Sequence, residues 1–197
     1  MTFLLQALIA LFPSIIGPVV CMVLLKIGFL NSLNKPIDNN LVLKDGKRLF
    51  GDNKTIRGFI TYIFSTVIIS IMWGFLCEKI TFLNNNNLLY QVYKNELVFN
   101  LSIGFLFGCA YAIFELPNSF LKRRFDVSDS NRKDLKKLKR FVFRIFDLID
   151  SAIGCVLVLA IYCKMTILQY ILLVMLGGIL HYVIVAILYM LKIKKQR

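Results

Sequence analysis

Two carboxylates, Asp147 and Asp150, stand three residues apart at the head of an apolar run, so on a helix they point the same way. At a membrane boundary such a pair is costly unless something positive joins it, and a divalent cation is the natural candidate. Pairing with Arg144 or Lys54 in a purely structural ion network is the alternative. Upstream, residues 44–58 read Lys-Asp-Gly-Lys-Arg-Leu-Phe-Gly-Asp-Asn-Lys-Thr-Ile-Arg-Gly, a string of phosphate-binding side chains punctuated by glycines and leading into a helix. A helix N-terminus offers unpaired N–H groups and partial positive charge, so Lys54, Thr55 and Arg57 there would converge on an anionic group. Asp52 or Thr55 could instead be only a helix cap, and the whole loop could be a solvated surface facing lipid headgroups. A third group, residues 115–124, reads Glu-Leu-Pro-Asn-Ser-Phe-Leu-Lys-Arg-Arg. Pro117 is expected to interrupt the preceding span and open a fresh helix, on which Asn118, Ser119 and Lys122 share a face near Glu115.

The elements that must position these groups are set by hydropathy. Of 197 residues 58% are hydrophobic, and the mean hydropathy is +0.71. Apolar runs cover roughly 3–30, 58–77, 97–116, 148–163 and 165–191, each near or above the ~20 residues that cross ~30 Å of hydrocarbon. The expected fold is therefore an all-α integral membrane protein with five transmembrane helices in a single domain, residues 1–197. The fourth run is short and is expected to borrow residues 141–149. The first carries Pro13, Gly17 and Pro18, which predict a kink or a broken helix lining a cavity. It has no basic leader or small-residue cleavage site, so it is expected to remain as a helix.

The formal charge is +13, from 24 Lys+Arg against 11 Asp+Glu. In a soluble protein this would suggest nucleic acid; here the cations flank apolar runs. Lys35, Lys44, Lys47, Arg48, Lys54 and Arg57 occupy the loop 31–57, ten Lys/Arg lie between Lys122 and Arg144 in the loop 117–147, and Lys192, Lys194, Lys195 and Arg197 form a basic tail. The positive-inside rule places these segments in the cytoplasm and the N-terminus outside a cell (cytoplasmic) membrane. Residues 78–96, with Asn84 to Asn87, become an external loop expected to be mobile and uninformative. The basic stretch 128–140 and the alternation Lys139-Arg-Phe-Val-Phe-Arg144 suit contact with anionic lipid, or disorder. Cys21, Cys77, Cys109, Cys155 and Cys163 form no CxxC pair and read as packing residues. His181, the one histidine, reads as an interhelical hydrogen-bonding group. Gly104, Gly108, Gly177 and Gly178 could pack helices within a chain or in a homo-oligomer, and no internal repeat suggests an inverted-repeat transporter.

The string Phe50-Gly-Asp-Asn-Lys-Thr-Ile-Arg-Gly58, the segment 115–124 and Asp147-Leu-Ile-Asp-Ser151, in that order and spacing, resemble the CDP-archaeol synthase family over nearly the whole chain. The resemblance implies transfer of CMP from CTP to a membrane lipid phosphate, giving a CDP-lipid and pyrophosphate with Mg²⁺. It implies that Asp147 and Asp150 hold metal; Glu115 and Asn118 are the candidates to complete the ligand set, and Asp147, Asp150 and Glu115 are expected to act in catalysis with Lys54 and Lys122. Lys47, Arg48, Lys54 and Arg57 would clamp phosphates of CTP, and Lys122 and Arg123 would hold pyrophosphate or lipid phosphate. Gly51, Asp52, Asn53, Thr55, Asn118 and Ser119 would contact phosphate, base or metal-bound water. A phosphate monoester is already ionised near neutral pH, so its attack on phosphorus needs alignment and charge neutralisation rather than a strong base. Two alternatives are a CDP-alcohol phosphotransferase, whose longer Asp-rich signature is absent from this chain, and a non-enzymatic transport or scaffold protein. Nothing in apolar helices encodes ether against ester lipid chains.

Overall fold

The structure, a computed structural model, describes residues 3–127 and 137–190. The helices in chain order are α1 (Phe3–Lys26), α2 (Ile56–Lys79), the short α3 (Thr81–Asn85), α4 (Leu97–Arg124), α5 (Lys137–Tyr162) and α6 (Ile167–Met190). All but α3 are long and apolar enough to cross a membrane, and only 22% to 39% of each apolar window is buried inside the protein. Lipid must solvate the rest, and the chain is an all-α, multi-pass membrane protein. The α5 helix takes residues 141–149 into its first turns, as its short apolar run requires. The basic tail and residues 128–136 lie outside the described residues.

The expected break in α1 does not occur: the helix runs without interruption through Pro13 and Pro18. A proline cannot donate to the carbonyl four residues back, and a carbonyl left unpaired in hydrocarbon is expensive. Pro13 frees the carbonyl of Ile9, and the indole N–H of Trp73 donates to it at 3.0 Å. Pro18 frees the carbonyl of Ser14, and the Tyr62 hydroxyl donates to that one at 3.3 Å. Both donors come from α2, so the helix breakers act as docking points. The approach is close between them, where a Cβ on Gly17 would lie 2.5 Å from Thr66 Oγ1. Nor does Pro117 divide the third span, because α4 continues to Arg124.

Small residues bring the remaining spans together. Gly104 and Gly108 place α4 on α2, where added Cβ atoms would fall 2.9 Å from Val67 Cα and 2.8 Å from Ile63 Cα. Gly177 and Gly178 seat α6 on Ala152 and Ile149 of α5. All four glycines thus pack helices within the chain. The core between the helices is closed by Phe107, Val156, Leu159 and Leu173, each at most 2% exposed. The five cysteines are free thiols.

The segment 80–96 is not the loose loop its asparagines suggested. Asn87 is 1% exposed and accepts from the N–H of Leu89 at 3.1 Å, while the N–H of Leu88 donates to the carbonyl of Gln6. The Tyr90 hydroxyl donates to Asn100 Oδ1 and Asn100 Nδ2 donates to Asn95 Oδ1, both at 2.7 Å; Asn95 Nδ2 donates to the Gly74 carbonyl at 2.9 Å. Amides that look low in information in one dimension form a polar plug that ties α1, α2 and α4 together at this end.

Replacing Trp73 with Phe keeps an aromatic face against Phe12, now stacked at 4.0 Å, but orphans the Ile9 carbonyl. The expected loss is about 1–2 kcal/mol, read as a lowered Tm in detergent. In a Pro13→Ala background the new alanine supplies its own backbone N–H to that carbonyl, so the penalty should shrink; equal penalties in both backgrounds would show that the indole bond does not serve the proline.

Candidate active site

At the opposite end, residues 27–55 form a folded lobe rather than a solvated loop. Its organiser is Asp38, whose side chain is fully buried and accepts from the N–H groups of Phe50, Gly51 and Asn40 at 3.0, 3.2 and 3.2 Å and from the Arg48 guanidinium. Burial pushes the carboxyl upward, but these donors outweigh it and bring the group down to about 2. Residues 41–49 turn back on themselves through the bonds Leu43 N–H to Lys47 and Leu49 N–H to Leu41. Gly46 supplies the positive φ of 74° at the turn. The ends of the lobe are clamped by Ile37 N–H to the Lys54 carbonyl (2.8 Å) and Ile56 N–H to Lys35 (2.9 Å).

Ion pairs fasten this lobe to the end of α4. Lys47 pairs with Asp126 at 2.7 Å and donates to the carbonyl of Arg124 at 3.0 Å. Arg124 in turn pairs with Asp45. The Lys47 ammonium holds the Asp126 carboxyl below its usual value. Arg48 pairs with Asp38 and Asp52. Lys47 and Arg48 are therefore committed to carboxylates. Together with Gly51, Asp52, Lys122 and Arg123 they line a side cavity of about 300 Å³ next to the main one.

Arg57 goes elsewhere. Its Nε donates to the Phe29 carbonyl and its Nη2 to the Leu25 carbonyl, both at 2.7 Å. It closes the C-terminal turn of α1. The position in the motif suggested a phosphate clamp; in the structure the side chain is held by the Phe29 carbonyl and by the Leu25 carbonyl, which also accepts from the Gly28 N–H at 3.3 Å. Thr55 is the N-cap of α2, accepting from the Gly58 N–H at 3.0 Å, and this cap fixes where the preceding Lys54 points.

The remaining predicted residues converge. The Nδ2 of Asn118 donates to Asp147 Oδ1 at 2.8 Å and to Asp150 Oδ2 at 2.7 Å. Lys122 pairs with Asp147, and Lys54 with Glu115. The Ser119 hydroxyl donates to the Glu115 carbonyl at 3.0 Å. Asp147 and Asp150 are thus joined by an amide, while Glu115 holds an ammonium. Among the described residues no three acidic, histidine or cysteine side chains gather into a metal site, so the expected Asp147–Asp150–Glu115 set is not assembled. Asn118 Oδ1, however, is buried without a partner. Rotating the amide half a turn would exchange its two ends and set a third oxygen between the two carboxylates, a donor set suited to a hard divalent cation.

These side chains form one wall of a cavity of about 650 Å³. Lys54, Asn53, Lys122, Arg123, Asp147 and Asp150 form its polar part, and Leu8, Leu11, Ile15, Leu180 and Ile184 of α1 and α6 line an apolar part. On α1 alone the lining extends from Leu8 to Leu25, about 25 Å of helix. The stacked pair Tyr62 and Tyr111, with centroids 4.0 Å apart, lies where the two parts meet. Sequence reasoning missed Asp38, Asp126 and this pair, because each is defined by partners distant in the chain. It also left out His181, which faces the cavity from α6.

A sequence-family profile described as CarS-like, CDP-archaeol synthase, matches residues 1–197. The chain belongs to the CDP-archaeol synthase family. Curated CDP-archaeol synthases are similar over part of their length. The protein of Thermococcus kodakarensis is 37% identical over 90 residues, which are 46% of this chain and 45% of the relative. That of Methanococcoides burtonii is 34% identical over 94 residues, 46% of this chain and 50% of the relative. That of Archaeoglobus fulgidus is 34% identical over 97 residues, 49% and 50%. The chain spans about half the length of the curated relatives it matches. A solved structure described as an intramembrane enzyme for archaeal membrane lipids biosynthesis has the same fold, with a TM-score of 0.56, 19% identity, and coverage of 89% of this chain and 90% of that one.

Asp38→Ala should orphan two or more buried N–H groups and cost about 1–3 kcal/mol, with accelerated proteolysis within residues 27–55. Asp52→Ala, at a side chain 85% exposed, should leave cleavage unchanged. Because the Asp38 carboxyl is lowered, its contribution is complete above about pH 4, its ordinary range, and disappears as the pH falls toward 2.

Proposed function

We propose that this protein transfers CMP from CTP to a membrane lipid phosphate, yielding a CDP-lipid and pyrophosphate. The observation that carries the reading is one continuous cavity with a cation-and-carboxylate part and a long apolar part, a shape suited to a soluble polyanion and a lipid that must meet. Membership of the CDP-archaeol synthase family supports it. The basic lobe and the end of α4 face the cytoplasm on this reading, because the other connections carry few cations.

In the reaction an oxygen of the ionised lipid phosphate attacks the α-phosphorus of CTP while the bond to the β-phosphate oxygen breaks, its electron pair leaving with pyrophosphate. Lys54, set at the capped start of α2, and Lys122, one turn beyond Asn118 on α4, neutralise charge on the entering and leaving phosphates. Arg123 spans the main and side cavities and holds the leaving pyrophosphate. The helix dipole of α2 adds partial positive charge at Thr55. Asp147, Asp150 and the Asn118 carbonyl oxygen would hold Mg²⁺, which when bound supplies electrophilic activation and shields the triphosphate. Glu115 keeps Lys54 oriented until phosphate replaces it.

Purified protein incubated with labelled CTP, Mg²⁺ and, separately, a diether and a diacyl glycerol phosphate should release pyrophosphate and form a labelled CDP-lipid in at least one tube. EDTA should abolish the product. Asp150→Asn should lower kcat by about 10³ and Lys54→Ala by about 10²–10³, whereas Arg57→Ala should lower Tm and leave the KM for CTP unchanged. Unaltered turnover in both Asp150→Asn and Lys54→Ala would sink the site, and release of CMP from CDP-lipid and an alcohol would identify a phosphotransferase instead.

A further inference from the structure

Asn118 is 5% exposed, and its amide stands between two carboxylates of another helix. One N–H of Nδ2 goes to Asp147 Oδ1 at 2.8 Å and the other to Asp150 Oδ2 at 2.7 Å, so the nitrogen has no hydrogen left to give. It is bonded to both aspartates at once, which is the part a divalent cation would play. Charge dictates the orientation. Ionised carboxylates only accept, so the amide must present its NH₂ to them, and Oδ1 is left buried with no partner. Buried acceptors are normally satisfied, and an exception calls for a cause.

The carboxylates are anchored by other groups as well. Asp147 Oδ1 also pairs with Lys122, and Asp150 Oδ1 accepts from the Ser151 N–H at 2.7 Å. Neither aspartate is cut loose if the amide turns away. A half-turn about the Cβ–Cγ bond exchanges Nδ2 for Oδ1 without moving α4 or α5, and terminal amide torsions are broad and two-fold. The turned state gathers three oxygens, and it is stable only with positive charge among them. The two states thus differ by one torsion and one cation.

We infer that Asn118 is a place-holder for the metal. Its Nδ2 bridges Asp147 and Asp150 while the site holds no cation, and its Oδ1 becomes a ligand when a cation enters. The inference deepens, and rests on, the reading in which Asp147, Asp150 and Asn118 hold Mg²⁺. Asn118 is a positioning residue for the two aspartates in one state and a ligand beside them in the other.

The test uses the full chain in detergent with Mn²⁺ as the probe and neither CTP nor lipid. Bound Mn²⁺ is read by electron paramagnetic resonance, and Tm is measured with Mn²⁺ and with EDTA. Asn118→Asp should lower the Tm in EDTA, because three carboxylates then face one another. It should also tighten Mn²⁺ about tenfold through the added ligand charge and regain the wild-type Tm once Mn²⁺ saturates. Asn118→Leu should lower the Tm in EDTA, weaken Mn²⁺ about tenfold and gain little stability from it. Should Asn118→Leu not fold, rescue of Asn118→Asp by Mn²⁺ decides alone. Wild-type protein that binds no Mn²⁺, Asn118→Asp that Mn²⁺ does not stabilise, or Asn118→Leu that binds Mn²⁺ as tightly as wild type would overturn the assignment. The expected pattern in a protein that forms no CDP-lipid from CTP would refute the proposed reaction and leave the place-holder standing. EDTA-sensitive synthesis with Mn²⁺ binding indifferent to Asn118 would do the reverse.

Discussion

No water reaches the backbone at bilayer depth, so every carbonyl that loses its helical donor must be given another. Much of this protein follows from that constraint. Pro13 and Pro18 strip donors from the middle of α1, and α2 is held beside it by the Trp73 and Tyr62 groups that replace them. At the end of α1 the backbone turns out of the helix, and Arg57, from the first turn of α2, adds donors to the Leu25 and Phe29 carbonyls there. Three unrelated side chains on α2 thus donate to carbonyls along and just beyond α1. Their combined effect is to fix the apolar wall of the cavity against the helix whose N-terminus carries Lys54.

The polar end obeys the same rule with charges in place of carbonyls. Lys54, Lys122, Glu115 and Asp147 are each only 22–26% exposed, and charges so placed are tolerable when paired. The resting site is therefore neutralised internally. On the proposed reaction, an incoming phosphate would exchange for a carboxylate at Lys54 or Lys122 without stripping a full hydration shell from the ammonium, so much of the desolvation has been met in folding. The amide of Asn118 plays the corresponding part for Asp147 and Asp150, because a neutral group can turn either a donor or an acceptor toward them. An aspartate at this position would repel both partners, and a lysine would resist displacement.

Length and hydropathy made the five spans legible, and the i, i+3 spacing correctly paired Asp147 with Asp150 on one face. Residues 115–124 also delivered Asn118 and Lys122 to the same place, since helix periodicity alone decides that. The failures have a common physical origin. Proline was read as a break in α4 and as a kink or a break in α1, where the cavity lining was foreseen but the unbroken helix was not; its effect depends on whether a neighbouring helix donates, which no local pattern records. Arg57 was read from its motif, whereas its partners lie 28 and 32 residues away. Asp38 stood outside every motif because its importance comes from folding the lobe around it. The asparagines at 84–87 looked like low-complexity filler, and Asn87 became one of the most buried polar residues in the chain.

The distribution of stabilising contacts also bears on how the site can work. The lobe is tied to α4 by Lys47–Asp126 and Arg124–Asp45, pairs that lie beside the cavity rather than within it. Lys47 and Arg48 resemble phosphate ligands in sequence, yet their work is to hold Lys54 and the side cavity in register with Lys122 and Arg123. Such exposed pairs are individually weak, so the attachment depends on several acting together and on the buried Asp38 that shapes the lobe. The cations of the cavity are consequently carried on two bodies, the capped start of α2 and the last turns of α4, whose separation is set by contacts outside the cavity. A site built this way can trade partners at its centre while its frame stays fixed, which is the preorganisation that phosphoryl and nucleotidyl transfer most require.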